Sequence, residues 1–227
     1  MAESTDFDRR PIAARSLGPI QRFAAMLARA RVSPNLISVL GVVAAAIAGL
    51  SLALVGRVDM PYLTLYLVAA AGIQTRLMAN LLDGMVAVEG NMRSAVGDLY
   101  NEVPDRLSDT FIFVGAGYCL AGEAWAGWAA ACAALFVTYI RVLGRSLGFP
   151  SDFRGPMAKQ QRMFAMTVAC LYLAFAPPGF RPVVPFWPGG PTMSIMDWTL
   201  LLIAVGGLYT AWRRLATLAR NLRSRGT

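Results

Sequence analysis

The sequence predicts an all-α integral membrane protein, a bundle of six transmembrane helices preceded by an N-terminal interfacial amphipathic helix. Of the 227 residues, 56% are hydrophobic and 15% are charged, whereas soluble domains average roughly 45–50% and 25%. The apolar residues collect in six runs close to the ~20 residues that span a bilayer. The 21 basic residues outnumber the 13 acidic ones, which is typical of a protein that faces anionic lipid, and nucleic acid is the weaker explanation.

The interfacial helix is predicted at residues 19–31, where Ile20, Phe23 and Leu27 recur at helical spacing and arginines lie on another face. This pattern indicates an anchor at the membrane surface, with a lid over a cytoplasmic site as the alternative. Pro34 marks the start of the first span, because proline is tolerated in a first helical turn. The predicted spans are residues 36–54, 62–85, 107–120, 125–147, 163–176 and 196–212.

The third run is short, and it becomes a full span only if its helix begins near Gly97 and carries an acidic stretch into the membrane. The Pro- and Gly-rich segment 177–191 indicates an irregular exoplasmic connection. Basic residues flank the spans so that both termini are expected in the cytoplasm, in a bacterial inner membrane. We divide the chain into an N-terminal segment with the interfacial helix (1–32), a transmembrane domain (33–215) and a basic cytoplasmic tail (216–227).

The chain contains no histidine, which excludes Ser-His-Asp and Cys-His nucleophilic sites and the H-E-x-x-H metalloprotease. Its cysteines, Cys119, Cys132 and Cys170, are far apart in apolar runs, so we interpret them as packing residues. Any acid–base chemistry must therefore come from carboxylates.

Six of the 13 acidic residues lie within positions 83–109. Charges at bilayer depth cost at least ~2.5–3.5 kcal/mol each, so they are candidates for function. Asn80 and Asp83 share one helix face, and Asn101 and Asp105 share a face of the next helix. If the two helices are antiparallel, these four side chains meet at the cytoplasmic end of the membrane. Their oxygens suit Mg²⁺ and phosphate.

From Asn80 to Asp105 the chain reads N-L-L-D-G-M-V-A-V, eight residues, then G-D-L-Y-N-E-V-P-D. This resembles the CDP-alcohol phosphotransferase signature D-x-x-D-G-x-x-A-R-x(8)-G-x-x-x-D-x-x-x-D, with matching spacing throughout. Asn80, Val88 and Asn101 replace the first Asp, the Arg and the third Asp, which indicates a divergent branch. The S-P-N-L-I-S start of the first span and G-P-M-A-K-Q-Q-R at 155–162 are similar to the family too.

The resemblance implies a phospholipid synthase in which an alcohol hydroxyl attacks the phosphorus of a CDP-activated lipid, typically CDP-diacylglycerol, and CMP leaves. It implies that Asp105 is the general base and that one or two Mg²⁺ or Mn²⁺ ions are bound. The implied metal ligands are Asp83, Asp105, Asn80 and Asn101, with Glu102 as the nearest source of extra charge. The implied CDP-binding residues are Asn80, Asp83, Gly84, Ala87, Gly97 and Arg93, with Arg76 as the alternative to Arg93 for the missing motif Arg.

Two Asn-for-Asp replacements remove two negative charges, so they should weaken divalent binding or reduce two metals to one. The acceptor pocket is expected at a second basic cluster, since guanidinium groups suit phosphate. An ordinary positive-inside loop is the alternative there. The expected acceptors are polyol phosphates such as glycerol phosphate or inositol phosphate. The candidate acceptor-binding residues are Arg141, Arg145, Arg154, Lys159 and Arg162.

Two other functions remain open from the sequence. One is a non-catalytic member that binds a CDP-lipid without turnover, because two motif carboxylates are missing. The other is a membrane transporter with acidic residues along its path, although the polar residues collect at one end of the spans. A homodimer is expected only from the resemblance.

Overall fold

The computed structural model describes residues 17–92, 96–190 and 192–225, and its main elements are helices. Helices account for most of each described range, which confirms the all-α prediction. Helix α2 begins at Pro34 and α4 begins at Gly97, both as predicted. The helices are α1 (Gly18–Arg29), α2 (Pro34–Leu54), α3 (Tyr62–Glu89), α4 (Gly97–Gly117), α5 (Ala124–Ser146), α6 (Lys159–Phe175) and α7 (Ile195–Arg225).

Four helices in the described part of the chain, α2, α3, α5 and α7, are long and apolar enough to cross a membrane. Such helices are characteristic of an integral membrane protein. Helix α4 has 21 residues, but the acidic stretch occupies its first half. Helix α6 has 17 residues and opens with Lys159 and, one turn later, Arg162. Helix α4 is thus set apart from those four helices by its charges, and α6 by its shorter length.

Glycines allow α4 to approach its neighbours at backbone distance. A Cβ added at Gly49 of α2 would collide with the Phe111 carbonyl of α4, and one added at Gly115 of α4 would collide with the Gly49 backbone. A Cβ at Gly117 would lie 2.9 Å from the Cα of Gly127 in α5. Small residues permit this close packing between membrane helices. Helix α4 is therefore held between α2 and α5, while α3 packs on α2 and α6, and α5 packs on α7.

Helix α1 lies against the end of α3. Ala24 is fully buried there, and Ile20 and Leu27 pack beside it. Phe23, which the sequence pattern assigned to the same apolar face, is exposed, as is Met26. Helix α1 thus presents one apolar strip to α3 and leaves two further large apolar side chains uncovered.

The connection between α6 and α7 has more regular structure than the sequence predicted. A 3₁₀ turn spans Pro178–Phe180, and Val184–Pro185 pairs antiparallel with Thr192–Met193. Gly189 adopts a positive φ of 78° between these strands, a conformation that glycine accepts without steric cost.

Candidate functional site

Asp83 is buried on α3 and is held by a neighbouring helix. Ser38 of α2 donates its hydroxyl hydrogen to Asp83 Oδ2 over 2.7 Å, and the Gly84 backbone N–H lies 2.6 Å from Asp83 Oδ1. Both Ser38 and Asp83 are less than a tenth exposed. Sequence analysis did not single out Ser38, although it ends the S-P-N-L-I-S segment that carried part of the resemblance. Its position one turn after Pro34 was the available signal.

Asp105 lies on α4 and carries two cations on one oxygen. Arg76 of α3 and Lys159 of α6 both donate to Asp105 Oδ1. Arg76 is only 1% exposed, and its Nε donates to Ser108 Oγ at 2.7 Å. Ser108 in turn donates to the Pro104 carbonyl at 2.7 Å. Arg76 therefore pairs with Asp105 and joins α3 to α4.

Asn80 lies one helical turn before Asp83 on α3. Its side-chain oxygen is buried and has no hydrogen-bond partner among the described residues. A Cβ added at Gly84, next to Asp83, would meet nothing within 4 Å. A buried acceptor without a donor is unusual in proteins. An electropositive ligand would satisfy it, and Gly84 leaves space nearby.

A second ion pair joins α6 to α4, about one helical turn after the Lys159–Asp105 pair on both helices. Arg162 of α6 donates to Asp109 of α4 at 2.7 Å, and both side chains are buried. Arg162 also donates to the Met157 carbonyl at 3.1 Å. The pairs Lys159–Asp105 and Arg162–Asp109 therefore form two successive rungs between α6 and α4. Arg162, predicted in the acceptor pocket, is 2% exposed and serves this interior contact.

Glu102 lies in the charged half of α4 and is bound by two arginines. Arg141 Nη2 of α5 lies 2.8 Å from Glu102 Oε1 and 2.9 Å from Oε2. Arg106 donates to the same carboxylate. Sequence analysis assigned Glu102 to the metal. Both of its oxygens accept hydrogen bonds from guanidinium groups in this structure, so a metal ion at Glu102 would compete with these two arginines.

The predicted acceptor cluster is divided among several carboxylates. Arg154 is exposed and forms an ion pair with Asp152, its Nε lying 3.0 Å from Oδ1. Burial raises the pKa of Asp152, but hydrogen bonds from the Arg154 side chain and backbone outweigh it, so the pKa lies below its usual range. Arg145 is exposed near the end of α5. The sequence prediction grouped these cations with Arg141 because they are close in sequence. In the structure Arg154 pairs with Asp152, whereas Arg141 pairs with Glu102.

Some of the predicted site lies outside what the structure describes. Arg93 is outside the described residues, and of Asn101 only the backbone, within α4, is described. Gly97 is the first residue of α4, and Ala87 is half-buried on α3. Among the described side chains, no three Cys, Asp or Glu residues gather into a group that could hold a metal ion. A cation site built from these described side chains would also use amide oxygens or substrate oxygens.

The fold is similar to that of enzymes of known structure. Two structures of Mycobacterium tuberculosis phosphatidylinositol phosphate synthase, one with CDP-DAG bound and one with manganese and citrate, each superpose with a TM-score of 0.67 and 20% identity. Each likeness covers 88% of this chain, and 92% and 88% of the respective solved chains. These likenesses establish the fold.

The sequence itself is also similar to one such enzyme. Phosphatidylinositol phosphate synthase of Streptomyces avermitilis is 27% identical over 208 residues, which cover 88% of this chain and 77% of the relative. No family model matches the chain. The relative and the fold together confirm the resemblance to the CDP-alcohol phosphotransferase family that residues 80–105 carried.

Proposed function

We propose that this chain transfers a phosphatidyl group from CDP-diacylglycerol to a hydroxyl of a polyol phosphate, of the inositol phosphate class, and releases CMP. The observation that carries the proposal is the pair of carboxylates at this end of the bundle, buried Asp83 on α3, next to the open space at Gly84, and partly exposed Asp105 on α4, which pairs with Arg76 of α3. The donor and acceptor follow from the relatives, which are phosphatidylinositol phosphate synthases, one of them with CDP-DAG bound.

The residues present fit one divalent cation. Asn80 offers a buried oxygen without a donor, and Asp83 offers a carboxylate one turn away on the same helix. Mg²⁺ and Mn²⁺ take oxygen ligands and accept water or phosphate oxygens in their remaining positions. A solved relative holds manganese. We therefore propose Asn80 and Asp83 as the core of the ligand set, with Asn101 and Asp105 completing it around the substrate.

A bound cation would neutralise the donor pyrophosphate and make its phosphorus more electrophilic. Ser38 would keep Asp83 oriented toward it, since the 2.7 Å hydrogen bond fixes one carboxylate oxygen. The remaining proposed CDP-binding residues are those that the sequence resemblance implies. They are Gly84, Ala87, Gly97 and Arg93, with Arg76 as a buried cation on the same helix as Asp83.

In the proposed reaction, Asp105 accepts the proton of the acceptor hydroxyl. The hydroxyl oxygen forms a bond to the phosphorus that carries diacylglycerol, and the bond from that phosphorus to the bridging oxygen breaks. CMP leaves with the electron pair, and the proton later passes from Asp105 to water. Arg76 and Lys159 oppose this role while both pair with Asp105. The negative pyrophosphate competes for these two cations, so donor binding would release the base for the next step.

We propose that all six long helices from α2 to α7 cross the membrane. Helices α4 and α6 tolerate their charges because Asp105 pairs with Lys159 and Asp109 pairs with Arg162. Helix α1 would lie at the interface with Phe23 in the lipid. Both termini and the site would face the cytoplasm, in a bacterial inner membrane, and the enzyme would form a homodimer. The proposed boundaries are 1–32, 33–215 and 216–227.

The assignment of Asp105 is tested by CMP release from purified full-length protein in detergent with CDP-diacylglycerol, Mn²⁺ and inositol phosphate. Asp105→Asn should lower turnover by at least about a hundredfold, because general base catalysis contributes roughly 10²–10⁴ in rate. The matched control is Asp59→Asn, an exposed carboxylate in the α2–α3 connection, which should keep full activity. Retained turnover in the Asp105 variant would contradict the assignment.

A second candidate function is the binding of a CDP-lipid without turnover. The observation that favours it is the state of Asp105, which is occupied by two protein cations while Asn80 replaces a motif carboxylate. CDP-diacylglycerol would then raise thermal stability, while no acceptor and no divalent metal would produce CMP. The same CMP assay with a parallel thermal melt separates the two functions.

A further inference from the structure

Residues 155–158, the G-P-M-A that precedes α6, have no role in the chemistry described so far. They end the connection 147–158 between α5 and α6, which contains no helix or strand. The next residue is Lys159, which pairs with Asp105. One turn later, Arg162 pairs with Asp109. The path of these four residues therefore sets the position from which both cations reach α4.

Helix α7 supplies a hydrogen-bond acceptor to the backbone of this segment. Thr210 Oγ1 accepts a hydrogen bond from the Met157 N–H at 3.2 Å, and it donates its own hydrogen to the Gly206 carbonyl at 2.8 Å. The Thr210 side chain is fully buried. Because the segment is irregular, its backbone groups need partners outside regular secondary structure. Thr210 provides one such partner from a helix that carries none of the proposed catalytic or metal-binding residues.

Two glycines allow the segment to lie directly on α7. A Cβ added at Gly155 would collide with the Thr210 side chain, and one added at Gly206 would collide with the Met157 side chain. Gly155 also has a positive φ of 135°, which glycine accepts without steric cost. The backbone thus crosses Thr210, and the Met157 side chain lies against Gly206. We call Thr210 and Gly206 the α7 seat.

Met157 connects the α7 seat to α6. Its N–H donates to Thr210, and its carbonyl accepts a hydrogen bond from Arg162 Nη1 at 3.1 Å. A further contact from α7 lies just before the segment, where Arg214 Nε donates to the Arg154 carbonyl at 3.0 Å. Backbone contacts with α7 therefore hold the chain immediately before α6 begins.

We propose that Thr210 is a positioning residue, which holds residues 155–158 on α7 so that Lys159 reaches Asp105. In the described hydrogen bonds, Thr210 contacts Met157 and Gly206, so it acts through Lys159 and not on the reacting groups. Without the hydrogen bond from Met157, the start of α6 is less constrained, and Lys159 pairs with Asp105 for less of the time. The consequence for the donor pyrophosphate, which competes for Lys159, rests on the proposed function.

Lys159 is the only lysine in the sequence, so an amine-reactive ester reports on this side chain specifically. The rate of Lys159 acylation in the full chain in detergent, followed by mass spectrometry of its peptide, measures how often the amine is unpaired. Thr210→Val keeps the side-chain shape and removes the acceptor. Labelling should become about fivefold faster, the factor that corresponds to the roughly 1 kcal/mol of one hydrogen bond.

The matched control is Thr199→Val near the other end of α7. Thr199 makes the same kind of bond within its helix, to the Ile195 carbonyl at 2.9 Å, so this variant should label as wild type does. Thr210→Ser keeps the hydroxyl and should restore the wild-type labelling rate.

A second variant tests the α7 seat from its other residue. The methyl group of Gly206→Ala would displace the Met157 side chain, so this variant should also label faster than wild type. A wild-type rate in folded Thr210→Val would overturn the proposal. If Thr210→Val does not fold, a wild-type rate in Gly206→Ala would overturn it.

Steady-state kinetics distinguish positioning of Lys159 from a general loss of stability. Thr210→Val should raise KM for CDP-diacylglycerol about fivefold and change kcat by less than about twofold, because one contact to the donor is weakened. In a Lys159→Gln background, Thr210→Val should have no further effect, since both changes remove the same contact. Effects that multiply in the double variant would overturn the proposal.

The outcomes also separate this inference from the proposed function. Faster labelling of Thr210→Val without CMP release under any condition would support the positioning of Lys159 and remove the enzymatic function. CMP release by the wild-type chain, with a wild-type labelling rate in Thr210→Val, would support the enzymatic function and overturn the role of Thr210.

Discussion

Removing one partner of the buried Arg162–Asp109 pair gives a prediction whose size follows from the structure. Arg162→Met leaves Asp109 buried, 6% exposed, without its cation. An uncompensated buried charge costs about 3–5 kcal/mol, and a charge at membrane depth costs at least ~2.5 kcal/mol. Taking about 3 kcal/mol, and about 2–4 °C per kcal/mol for a chain of this size, Tm should fall by about 6–12 °C.

The double variant, Asp109→Leu with Arg162→Met, removes both charges and fills the space with apolar groups. Replacing a whole buried ion pair in this way is often neutral or stabilising, so Tm should return to within about 3 °C of wild type. A fluorescence-monitored melt in detergent measures both variants. A double variant as unstable as the single one would refute the reasoning. So would a single variant that loses less than about 2 °C.

Three further predictions concern the α3 side of the site. Ser38→Ala removes the 2.7 Å hydrogen bond to Asp83, so the Mn²⁺ concentration for half-maximal CMP release should rise about five- to tenfold, and an unchanged value would contradict the positioning role. Gly84→Ala adds a methyl group to open space, so Tm should stay within about 2 °C of wild type while CMP release falls. The control Gly49→Ala should fail to fold in the same expression trial, because its methyl group would collide with the Phe111 carbonyl. Asn80→Asp supplies a charged ligand, so Mn²⁺ measured by calorimetry should bind about tenfold more tightly, and equal affinity would remove Asn80 from the ligand set.

Sequence spacing predicted the parts of the fold that depend on local chemistry. Pro34 begins α2 as expected, because proline is favoured in a first helical turn. Gly97 begins α4 as expected, because the apolar run of this segment reaches spanning length only when the acidic stretch after Gly97 is added to it. Helical periodicity predicted that Asn80 and Asp83 of α3 meet Asn101 and Asp105 of α4. In the structure Arg76 joins α3 to Asp105, while Asp83 is bonded to Ser38 of α2.

The pairing of charges could not be read from spacing. The five predicted acceptor cations are close in sequence, but three of them pair with three different carboxylates of α4. Lys159 pairs with Asp105, Arg162 with Asp109 and Arg141 with Glu102. Partner choice depends on how α4, α5 and α6 pack, which small residues such as Gly117 and Gly127 decide. Ser38 was missed for the same reason, because a serine on an apolar helix gives no local sign of its partner on α3.

The most direct test of the account is acceptor-dependent CMP release by the purified wild-type chain with CDP-diacylglycerol, Mn²⁺ and a panel containing inositol phosphate, glycerol phosphate and inositol. The account predicts CMP with a polyol phosphate, loss of CMP with a chelator, and much less CMP with neutral inositol. Absence of CMP with every acceptor, from protein that CDP-diacylglycerol still stabilises against heat, would contradict it.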